Sequence, residues 1–286
     1  MKELVVISGK GGTGKTSVVG SFAALAGNAL LADCDVDASD LHLLLHPDIK
    51  DRHDFLGMKK AVIDPGLCSR CGTCEDICRF DAIKGFRVNP LSCEGCAVCY
   101  HVCPHRAVQM VEHVCGQWFS ADTLYGPLIY ARLGVGEENS GKLVAEVRKQ
   151  TKELARSLKK ELIIIDGPPG IGCPVIATIA GVDLVLVVTE PTVAGLHDLI
   201  RILELTNHFQ VPAVVCINKW DLAVNKSDAI EAYCREQKVE VIGRIPFDYR
   251  MTEAIIQGIP PVEFSSGGAP AAIQDIWKEL QKRLQV

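Results

Sequence analysis

The sequence lacks any uninterrupted apolar run near the roughly 20 residues that a membrane-spanning helix requires. It also lacks an excess of positive charge, because 30 basic residues stand against 35 acidic ones, for a formal net charge of −5. A protein that neutralises nucleic-acid phosphates needs such an excess, so we expect no nucleic-acid partner. Too few residues precede the first apolar segment, Leu4–Ile7, for a secretory signal, and we therefore expect a cytoplasmic protein.

Cysteine, in contrast, is abundant. Thirteen cysteines occur among 286 residues, and eight of them fall between Cys68 and Cys103. Disulfides are disfavoured in a reducing cytosol. A dense cysteine run in a cytoplasmic chain therefore indicates metal ligation rather than disulfide bonding. The remaining composition, 48% hydrophobic and 23% charged, is that of an ordinary folded protein.

Outside the cysteine-rich segment, short apolar runs alternate with helical patterns. The predicted strands are Leu4–Ser8, Ala29–Asp33, Leu162–Asp166, Leu184–Thr189, Ala213–Asn218 and Val239–Ile245. The predicted helices are Lys15–Gly27, Gly141–Lys160, Ala194–Phe209, Lys226–Gln237 and Ala271–Leu284. Strands without polar alternation, each followed by a helix, predict a doubly wound α/β domain with a mostly parallel sheet. The last helix has one apolar face, which favours packing on the sheet over lying on a membrane surface.

The cysteine-rich segment interrupts this alternation. It contains two similar runs, Cys68-x-x-Cys71-x-x-Cys74-x-x-x-Cys78 and Cys93-x-x-Cys96-x-x-Cys99-x-x-x-Cys103, which start 25 residues apart. The repeat predicts a small α+β domain inserted into a loop of the larger one. We place the inserted domain at residues 62–111 and the larger domain at residues 1–61 and 112–286.

A phosphate-binding motif lies between the first strand and the first helix. Gly9-Lys10-Gly11-Gly12-Thr13-Gly14-Lys15-Thr16-Ser17 contains G-x-x-x-x-G-K-[ST], whose glycines let backbone N–H groups converge on phosphate oxygens. In such a loop Lys15 reaches the β- and γ-phosphates, and the Thr16 hydroxyl binds Mg²⁺. Asp35 and Asp166 follow other strands, where a carboxylate can hold Mg²⁺ through water. The alternative for Asp33 and Asp35 is helix capping.

The form K-G-G-x-G-K-T, with Lys10 ahead of the glycines, resembles the deviant phosphate loop of the MinD/ParA ATPases, a family that includes the nitrogenase iron protein and iron–sulfur scaffold ATPases. Asp33-Cys34-Asp35 and Asp166-Gly167-Pro168-Pro169-Gly170 extend this resemblance. It implies ATP and Mg²⁺ as ligands and a face-to-face dimer, either a homodimer or a heterodimer with a related ATPase. Lys10 would then contact the nucleotide of the opposite subunit.

Recognition of the base has two interpretations. Asn218-Lys219-Trp220-Asp221 matches N-K-x-D, which reads guanine in regulatory GTPases. In MinD-like ATPases an Asn at this place reads adenine together with backbone after another strand, here Pro246 and Phe247. Because the rest of the resemblance is to ATPases, we favour ATP.

The cysteine spacing is that of bacterial ferredoxins, in which the fourth cysteine of each run ligates the other cluster. It predicts one [4Fe–4S] cluster on Cys68, Cys71, Cys74 and Cys103 and a second on Cys93, Cys96, Cys99 and Cys78. Two Cys₄ zinc sites are the alternative, although zinc sites more often use separated C-x₂-C pairs.

The combination resembles MinD-superfamily ATPases that carry an inserted ferredoxin domain. By that resemblance we expect a dimeric ATPase that couples its nucleotide state to electron transfer to a redox partner protein. Two alternatives remain: a carrier or scaffold ATPase for iron–sulfur clusters, and a spatial-organising ATPase like MinD, which would require a membrane or polymer partner.

Overall fold

A computed structural model describes residues 1–137 and 140–286, which form two compact units. The first unit contains residues Met1–Arg52, Trp118–Arg132 and Ser140–Val286. The second contains His53–Gln117 and the segment that starts at Leu133. We call them the nucleotide unit and the cysteine unit.

The strands and helices follow one another along the chain with short connections. The strands are β1 Lys2–Ser8, β2 Leu30–Asp33, β3 Asp48–Ile63, β4 Ile83–Lys84, β5 Arg87–Val88, β6 Val108–Thr123, β7 Gly126–Leu133, β8 Leu162–Pro169, β9 Leu184–Thr189, β10 Ala213–Asn218 and β11 Glu240–Ile245. The helices are α1 Lys15–Ala26, α2 Leu41–Leu45, α3 Thr73–Asp76, α4 Val98–Val102, α5 Ser140–Ser157, α6 Cys173–Ile179, α7 Val193–His208, α8 Val224–Glu236, α9 Tyr249–Ile256, α10 Pro261–Phe264 and α11 Ala269–Leu284. A 3₁₀ turn, Trp220–Ala223, precedes α8.

The described residues form one large sheet with the strand order β11-β10-β9-β1-β8-β2-β7-β6-β3. The pairings from β11 across to β7 are all parallel. The central strands β1, β8 and β9 are almost entirely buried, as expected for a parallel sheet covered on both faces. The predicted α/β architecture with a mostly parallel sheet is therefore confirmed.

The last helix, α11, packs into the core of the nucleotide unit. Its apolar side chains, Ile273, Ile276, Trp277, Leu280 and Leu284, are buried, and the Trp277 ring lies 5.1 Å from the ring of Phe22. Its apolar face is therefore used inside the protein, as the sequence predicts. In the residues that the structure describes, no helix has both the length and the apolar character to cross a bilayer.

Strand register places acidic residues side by side at one edge of the sheet. Asp33, at the end of β2, pairs with Asp166 of β8. On its other side β8 pairs with β1, which leads directly into the phosphate-binding loop. Because the carboxyl ends of parallel strands lie at the same edge, the loop and the carboxylates lie close together.

The cysteine unit has a repeated backbone. Residues with positive φ recur 25 positions apart. The equivalent pairs are Arg70 and Gly95, Gly72 and Ala97, and Asp81 and Arg106. The short helices α3 and α4 occupy equivalent places, and each contains one buried cysteine, Cys74 or Cys99. The two cysteine runs therefore form a structural repeat as well as a sequence repeat.

The cysteine unit is larger than residues 62–111. It includes more of the long strands β3 and β6, each of 16 residues, and the segment that starts at Leu133. Strands of this length extend the unit beyond the cysteine runs on both sides, so its boundaries differ from those placed on the sequence. A ferredoxin-like fold for this unit stays a prediction.

Candidate functional site

The loop between β1 and α1 has the backbone conformation of an anion-binding turn. Gly12 and Gly14 have φ values of 79° and 89°, which residues with a Cβ rarely adopt. A Cβ on Gly14 would also lie 2.4 Å from the side-chain nitrogen of Asn218. The loop ends at the N-terminus of the 12-residue helix α1, where backbone N–H groups and the helix dipole favour an anion.

Lys15, the first residue of α1, forms ion pairs with two carboxylates, although it is only 6% exposed. Its Nζ lies 2.5 Å from Oδ1 of Asp166 and 3.6 Å from Oδ2 of Asp35. Asp166 is 1% exposed, and its Oδ2 has no hydrogen-bond partner among the described residues. A buried carboxylate oxygen without a donor can serve as a ligand for a hydrated divalent cation.

The electrostatics of this group favour an additional positive charge. Burial raises the pKa of Asp35 to about 6, and burial together with the Asp166 carboxylate raises the pKa of Asp33. Burial alone would lower the pKa of Lys15, but the carboxylates of Asp166 and Asp35 outweigh it and raise that pKa. One positively charged lysine thus interacts with three carboxyl groups. Bound Mg²⁺ would supply the positive charge that this group lacks.

Asp33 has a structural task in the nucleotide unit. Its Oδ2 accepts hydrogen bonds from the Ser39 hydroxyl at 2.8 Å and the backbone N–H of Leu41 at 3.2 Å, at the start of α2. Its Oδ1 accepts from the N–H of Asp35 at 3.0 Å. The capping alternative therefore describes Asp33 well, and it leaves Asp35 beside Lys15.

A cleft of about 400 Å³ lies over the phosphate-binding loop. Its polar lining includes Gly11–Ser17 and Asp35, and its apolar lining includes Leu43, Leu44 and Ile255. The structure thus brings most of the predicted phosphate and magnesium residues together, including Thr16. Asp166 joins the group through Lys15. Among the described residues, Lys10, Asn218, Pro246 and Phe247 do not line this cleft.

Lys10 instead pairs with a carboxylate of its own chain. Its Nζ contacts Oε1 of Glu190, the residue that follows β9, and Nζ of Lys219 lies 3.2 Å from the other oxygen of the same carboxylate. Burial opposes ionisation of Glu190, but its hydrogen bonds to both lysines outweigh burial and lower its pKa. Lys219 also donates to the carbonyl of Gly12 at 3.1 Å, so this ion-pair group touches the phosphate-binding loop.

Asn218 is the last residue of β10, and Phe247 follows the neighbouring strand β11. The Asn218 side-chain nitrogen donates to the carbonyl of Thr13 at 2.7 Å, which connects the end of β10 to the phosphate-binding loop. The backbone N–H of Phe247 donates to Oδ1 of Asp221 at 2.7 Å. The two segments predicted to read the base are therefore joined through Asp221.

The eight clustered cysteines line two separate pockets of the cysteine unit. Cys68, Cys71, Cys74 and Cys103 line one pocket, and Cys78, Cys93, Cys96 and Cys99 line the other. Each group combines three cysteines of one run with the fourth cysteine of the other. This is the grouping that crossed ligation requires, and four thiolates of this kind fit a [4Fe–4S] cluster.

Hydrophobic residues surround the buried cysteines. Cys74 and Cys99 pack with Ala61, Ile83 and Val108 in the core of this unit. Burial raises the pKa of the Cys74 and Cys99 thiols. In residues 1–137 and 140–286, no three His, Cys, Asp or Glu side chains are placed to hold one metal ion. A cluster takes one thiolate per iron, so its ligands need not converge on one point as the ligands of a single zinc ion do.

Lys15 offers a direct test of the acidic group. We expect Lys15→Ala to lower the free energy of unfolding by about 3 kcal/mol near neutral pH, because it leaves buried carboxylates unpaired. Without Lys15 the pKa values of Asp33 and Asp35, which burial already raises, should rise further above the unfolded value of about 4, so the folded variant binds more protons than the unfolded chain. Its stability should therefore increase as the pH falls from 7.5 to about 5.5. Urea unfolding without nucleotide at both pH values measures this.

Lys278→Ala is the matched control. Lys278 pairs with Asp275 at 2.9 Å on the exposed side of α11, and such surface pairs contribute about 0–1 kcal/mol. A Lys15→Ala chain no less stable than this control, or one that loses stability on acidification, would contradict the arrangement.

The phosphate-binding loop, the buried lysine among carboxylates and the parallel sheet together define a P-loop nucleotide-binding protein. The chain belongs to the CobQ/CobB/MinD/ParA nucleotide-binding domain family, whose match extends over residues 4–262. Its nucleotide unit is thus a P-loop ATPase domain of the MinD/ParA type, for which ATP and Mg²⁺ are the expected ligands.

Relatives of known sequence include several archaeal proteins. The chain is 34% identical over 284 residues to an uncharacterized protein of Methanocaldococcus jannaschii, which covers 98% of this chain and 96% of the relative. It is 26% identical over 156 residues to the iron–sulfur cluster carrier protein of Pyrococcus abyssi, covering 49% of this chain and 53% of the carrier.

Solved structures with the same fold include cell division ATPases. MinD of Pyrococcus horikoshii in complex with Mg-ADP is 18% identical, with a TM-score of 0.61 and coverage of 98% of this chain and 96% of that one. A chain of the MinC:MinD complex of Aquifex aeolicus is 20% identical, with a TM-score of 0.61 and coverage of 99% and 96%. At these identities the likeness shows the fold.

Proposed function

We propose that this protein is a dimeric MgATP-hydrolysing ATPase whose nucleotide state is coupled to electron transfer to a partner protein. The observation that carries the proposal is that one chain combines a MinD/ParA-type ATPase domain with eight cysteines sorted into two groups of four. Two [4Fe–4S] clusters bound to these groups would supply one-electron transfer.

The cleft residues, and Asp166 beside Lys15, have distinct roles in this proposal. Lys15 binds the β- and γ-phosphates, Thr16 binds Mg²⁺, and Asp35 and Asp166 hold the water shell of Mg²⁺ and the attacking water. Lys15 must loosen its contacts with Asp166 and Asp35 to reach the phosphates. Asp166 and Asp35 would then lack their positive partner, a charge that bound Mg²⁺ would supply, so nucleotide and metal should bind together.

The chain path links the cleft to the cysteine unit. Asp35 and part of α2 line the cleft. The next element, β3, enters the cysteine unit after Arg52. On the return, the chain leads into α5, where Gly141 lies close to Cys173 at the start of α6. The segment that starts at Asp166 leads to the same helix. A γ-phosphate with Mg²⁺ can order segments of this kind, and hydrolysis can release them.

The experiment that tests the proposal is anaerobic reduction with and without nucleotide. Reductive titration of the purified protein, followed by visible absorbance and electron paramagnetic resonance, should give a different midpoint potential when a non-hydrolysable ATP analogue is present. Equal potentials in both conditions would contradict coupling.

Lys10 is expected to act across the dimer interface. Lys10→Ala should weaken nucleotide-dependent dimerisation and hydrolysis by about tenfold or more, because it removes a charged donor to phosphate oxygens. Iron content should not change. Sedimentation velocity with an ATP analogue, together with phosphate release, measures both effects.

Two further variants make this test specific. Glu190→Gln should weaken the ion pair that holds Lys10 within its own chain. Because Lys10 is then available to the other subunit, dimerisation should occur at a lower nucleotide concentration. The exposed Lys238→Ala should behave like the parent. If Lys10→Ala dimerises and hydrolyses like the parent, Lys10 has no task across the interface.

A second candidate is a carrier of iron–sulfur clusters. It is favoured by the likeness to the carrier proteins, which spans about half of this chain. A carrier holds a labile cluster, whereas the two four-cysteine groups predict permanent ones. Anaerobic incubation with an apo-ferredoxin distinguishes them, because a carrier loses its iron to the acceptor and an electron-transfer protein keeps it.

A further inference from the structure

The short helix α2 forms part of the wall of the nucleotide cleft and is tied to the acidic group. Its residue Leu44 lines the cleft. At the start of the helix the backbone N–H of Leu41 donates to Oδ2 of Asp33 at 3.2 Å, and Oδ1 of Asp33 accepts from the N–H of Asp35 at 3.0 Å. A movement of Asp35 toward Mg²⁺ would therefore reach α2 through the two hydrogen bonds of Asp33.

Helix α2 also carries His42, which begins a row of stacked side chains. The His42 ring lies 5.6 Å from the Tyr130 ring, with an angle of 2° between their planes. Tyr130 stacks in turn on Phe119 at 4.8 Å, and the guanidinium of Arg52 lies 5.3 Å from the centre of the Phe119 ring. Such distances are those of favourable aromatic and cation–π pairs. The stacked row therefore joins α2 to β7, β6 and β3, which are neighbours in the sheet in this order.

A directional hydrogen bond accompanies the stacking. Nη2 of Arg132, on β7, lies 2.6 Å from Nε2 of His42. Because a guanidinium can only donate, Nε2 is the acceptor and the His42 ring is neutral. Burial and the charge of Arg132 lower the pKa of His42, which favours this neutral form. A hydrogen bond weakens steeply once its angle falls below about 120°, so a shift of α2 acts on this contact directly.

The stacked row lies where three strands pass from the nucleotide unit into the cysteine unit. Along the chain, β3 passes the boundary after Arg52, β7 passes it after Arg132, and β6 passes it just before Trp118, the neighbour of Phe119. Strands β3 and β6 continue through the boundary without a break. A displacement of the stacked row can therefore travel along continuous strands toward the cysteine runs.

We infer that the contact between His42 and Arg132 transmits nucleotide state: it ties the α2 wall of the cleft to the strands that lead into the cysteine unit, and both residues are positioning residues rather than catalytic ones. The inference rests on the proposed function, in which nucleotide in the cleft is coupled to the cysteine unit, and it names residues that carry the coupling. Coupling of two sites requires an element whose position both sites influence. Helix α2 meets this requirement, because Asp33 joins it to the acidic group and His42 joins it to the three strands.

Two single variants of the full-length protein and their combination test the inference. His42→Leu removes the acceptor, and Arg132→Met removes the donor while keeping a long unbranched side chain. Arg132 is exposed and His42 is half-buried, so neither change should disturb the core. Arg235→Met, at an exposed arginine of α8, is the matched control. Iron content and affinity for a non-hydrolysable ATP analogue show that both units are folded.

Amide hydrogen exchange with and without the analogue follows the strands directly, and in the parent the analogue should change exchange at residues 48–52 and 128–132. Each single variant should bind the analogue within about threefold of the parent and yet lose this change in exchange. Its analogue affinity should differ by less than about twofold between oxidised and reduced protein. Because both side chains serve one contact, the double variant should lose no more than either single variant.

The control variant should respond like the parent. Full coupling in His42→Leu or Arg132→Met, or a double variant that loses clearly more than either single variant, would overturn the inference. Exchange in these strands that ignores nucleotide in the parent would overturn it as well. The proposed function is judged separately, by the reduction potential of the parent. If that potential does not respond to nucleotide while the strands do, the electron-transfer proposal falls and the role of His42 stands.

Discussion

Protein reconstituted without oxygen should contain about eight iron atoms per chain and absorb broadly in the visible range, because two groups of four thiolates can each hold a [4Fe–4S] cluster. Iron and acid-labile sulfide analysis, beside zinc analysis of the same sample, measures this. Stoichiometric zinc with no visible absorbance would contradict it and favour two Cys₄ zinc sites.

The crossed grouping of the cysteines can be tested separately. A variant with serine at Cys68, Cys71 and Cys74 removes one group and should keep about four iron atoms per chain. In that background Cys78→Ser should abolish the remaining iron, because Cys78 lines the pocket of the second group. Cys103→Ser should have no further effect, because its own group is already lost.

Uncrossed ligation predicts the reverse order of these two effects, so one comparison separates the possibilities. Cys234→Ala, in α8 of the nucleotide unit, is the control and should keep the iron content of the parent. ATP binding by each serine variant shows that the nucleotide unit is still folded. If Cys103→Ser removed the remaining iron and Cys78→Ser did not, the crossed grouping would be wrong.

The fold was predictable where burial leaves a mark on the sequence. Leu4–Ser8 and Leu184–Thr189 are apolar because both faces of the sheet are covered; the first lies within β1, which begins at Lys2, and the second coincides with β9. Most of β3 is exposed, and its residues Asp48–Asp54 carry charges in no apolar pattern. Such a strand is held by pairing with a neighbour rather than by burial, so its sequence gives no comparable signal.

The candidate site also combines residues that one local motif reveals with residues that only the folded sheet brings together. The phosphate-binding loop and Lys15 are contiguous in sequence, so their chemistry is visible in one motif. Glu190 meets Lys10 only because β9 lies beside β1 in the sheet. Its position at the carboxyl end of a strand was a usable signal. Ile255 belongs to α9, a helix of eight residues that no periodic pattern revealed.

Reduction of the cysteine unit should change the affinity of the nucleotide unit for ATP, and nucleotide should change the reduction potential by the equivalent amount. This reciprocity follows from thermodynamic linkage: a ligand that favours one arrangement of the chain shifts every property that differs between the arrangements. Coupling of about 1–3 kcal/mol corresponds to a change in ATP-analogue affinity of about 5- to 150-fold. For a one-electron step, each tenfold change in affinity corresponds to a potential shift of about 59 mV.

The two quantities come from independent measurements. Calorimetry gives the affinity of the ATP analogue for oxidised and for reduced protein, and reductive titration gives the potential with and without the analogue. Lys15→Ala is the control, because a chain that cannot hold the phosphates should show no nucleotide-dependent shift of the potential. Both measurements are made on the dimer and with the redox partner present, since either partner can be required for the arrangement that nucleotide favours.

Asp35→Ala separates binding from hydrolysis. Asp35 lies beside Lys15 in the cleft, and its loss should abolish hydrolysis while leaving the phosphate-binding loop intact. Because binding alone sets the coupling, the full change in affinity and the matching shift in potential should survive in this variant. If coupling disappeared with hydrolysis, turnover rather than binding would drive the change in the cysteine unit. If ATP affinity were the same in both redox states of the parent dimer with its partner present, the two units would be independent, and the electron-transfer proposal would fall.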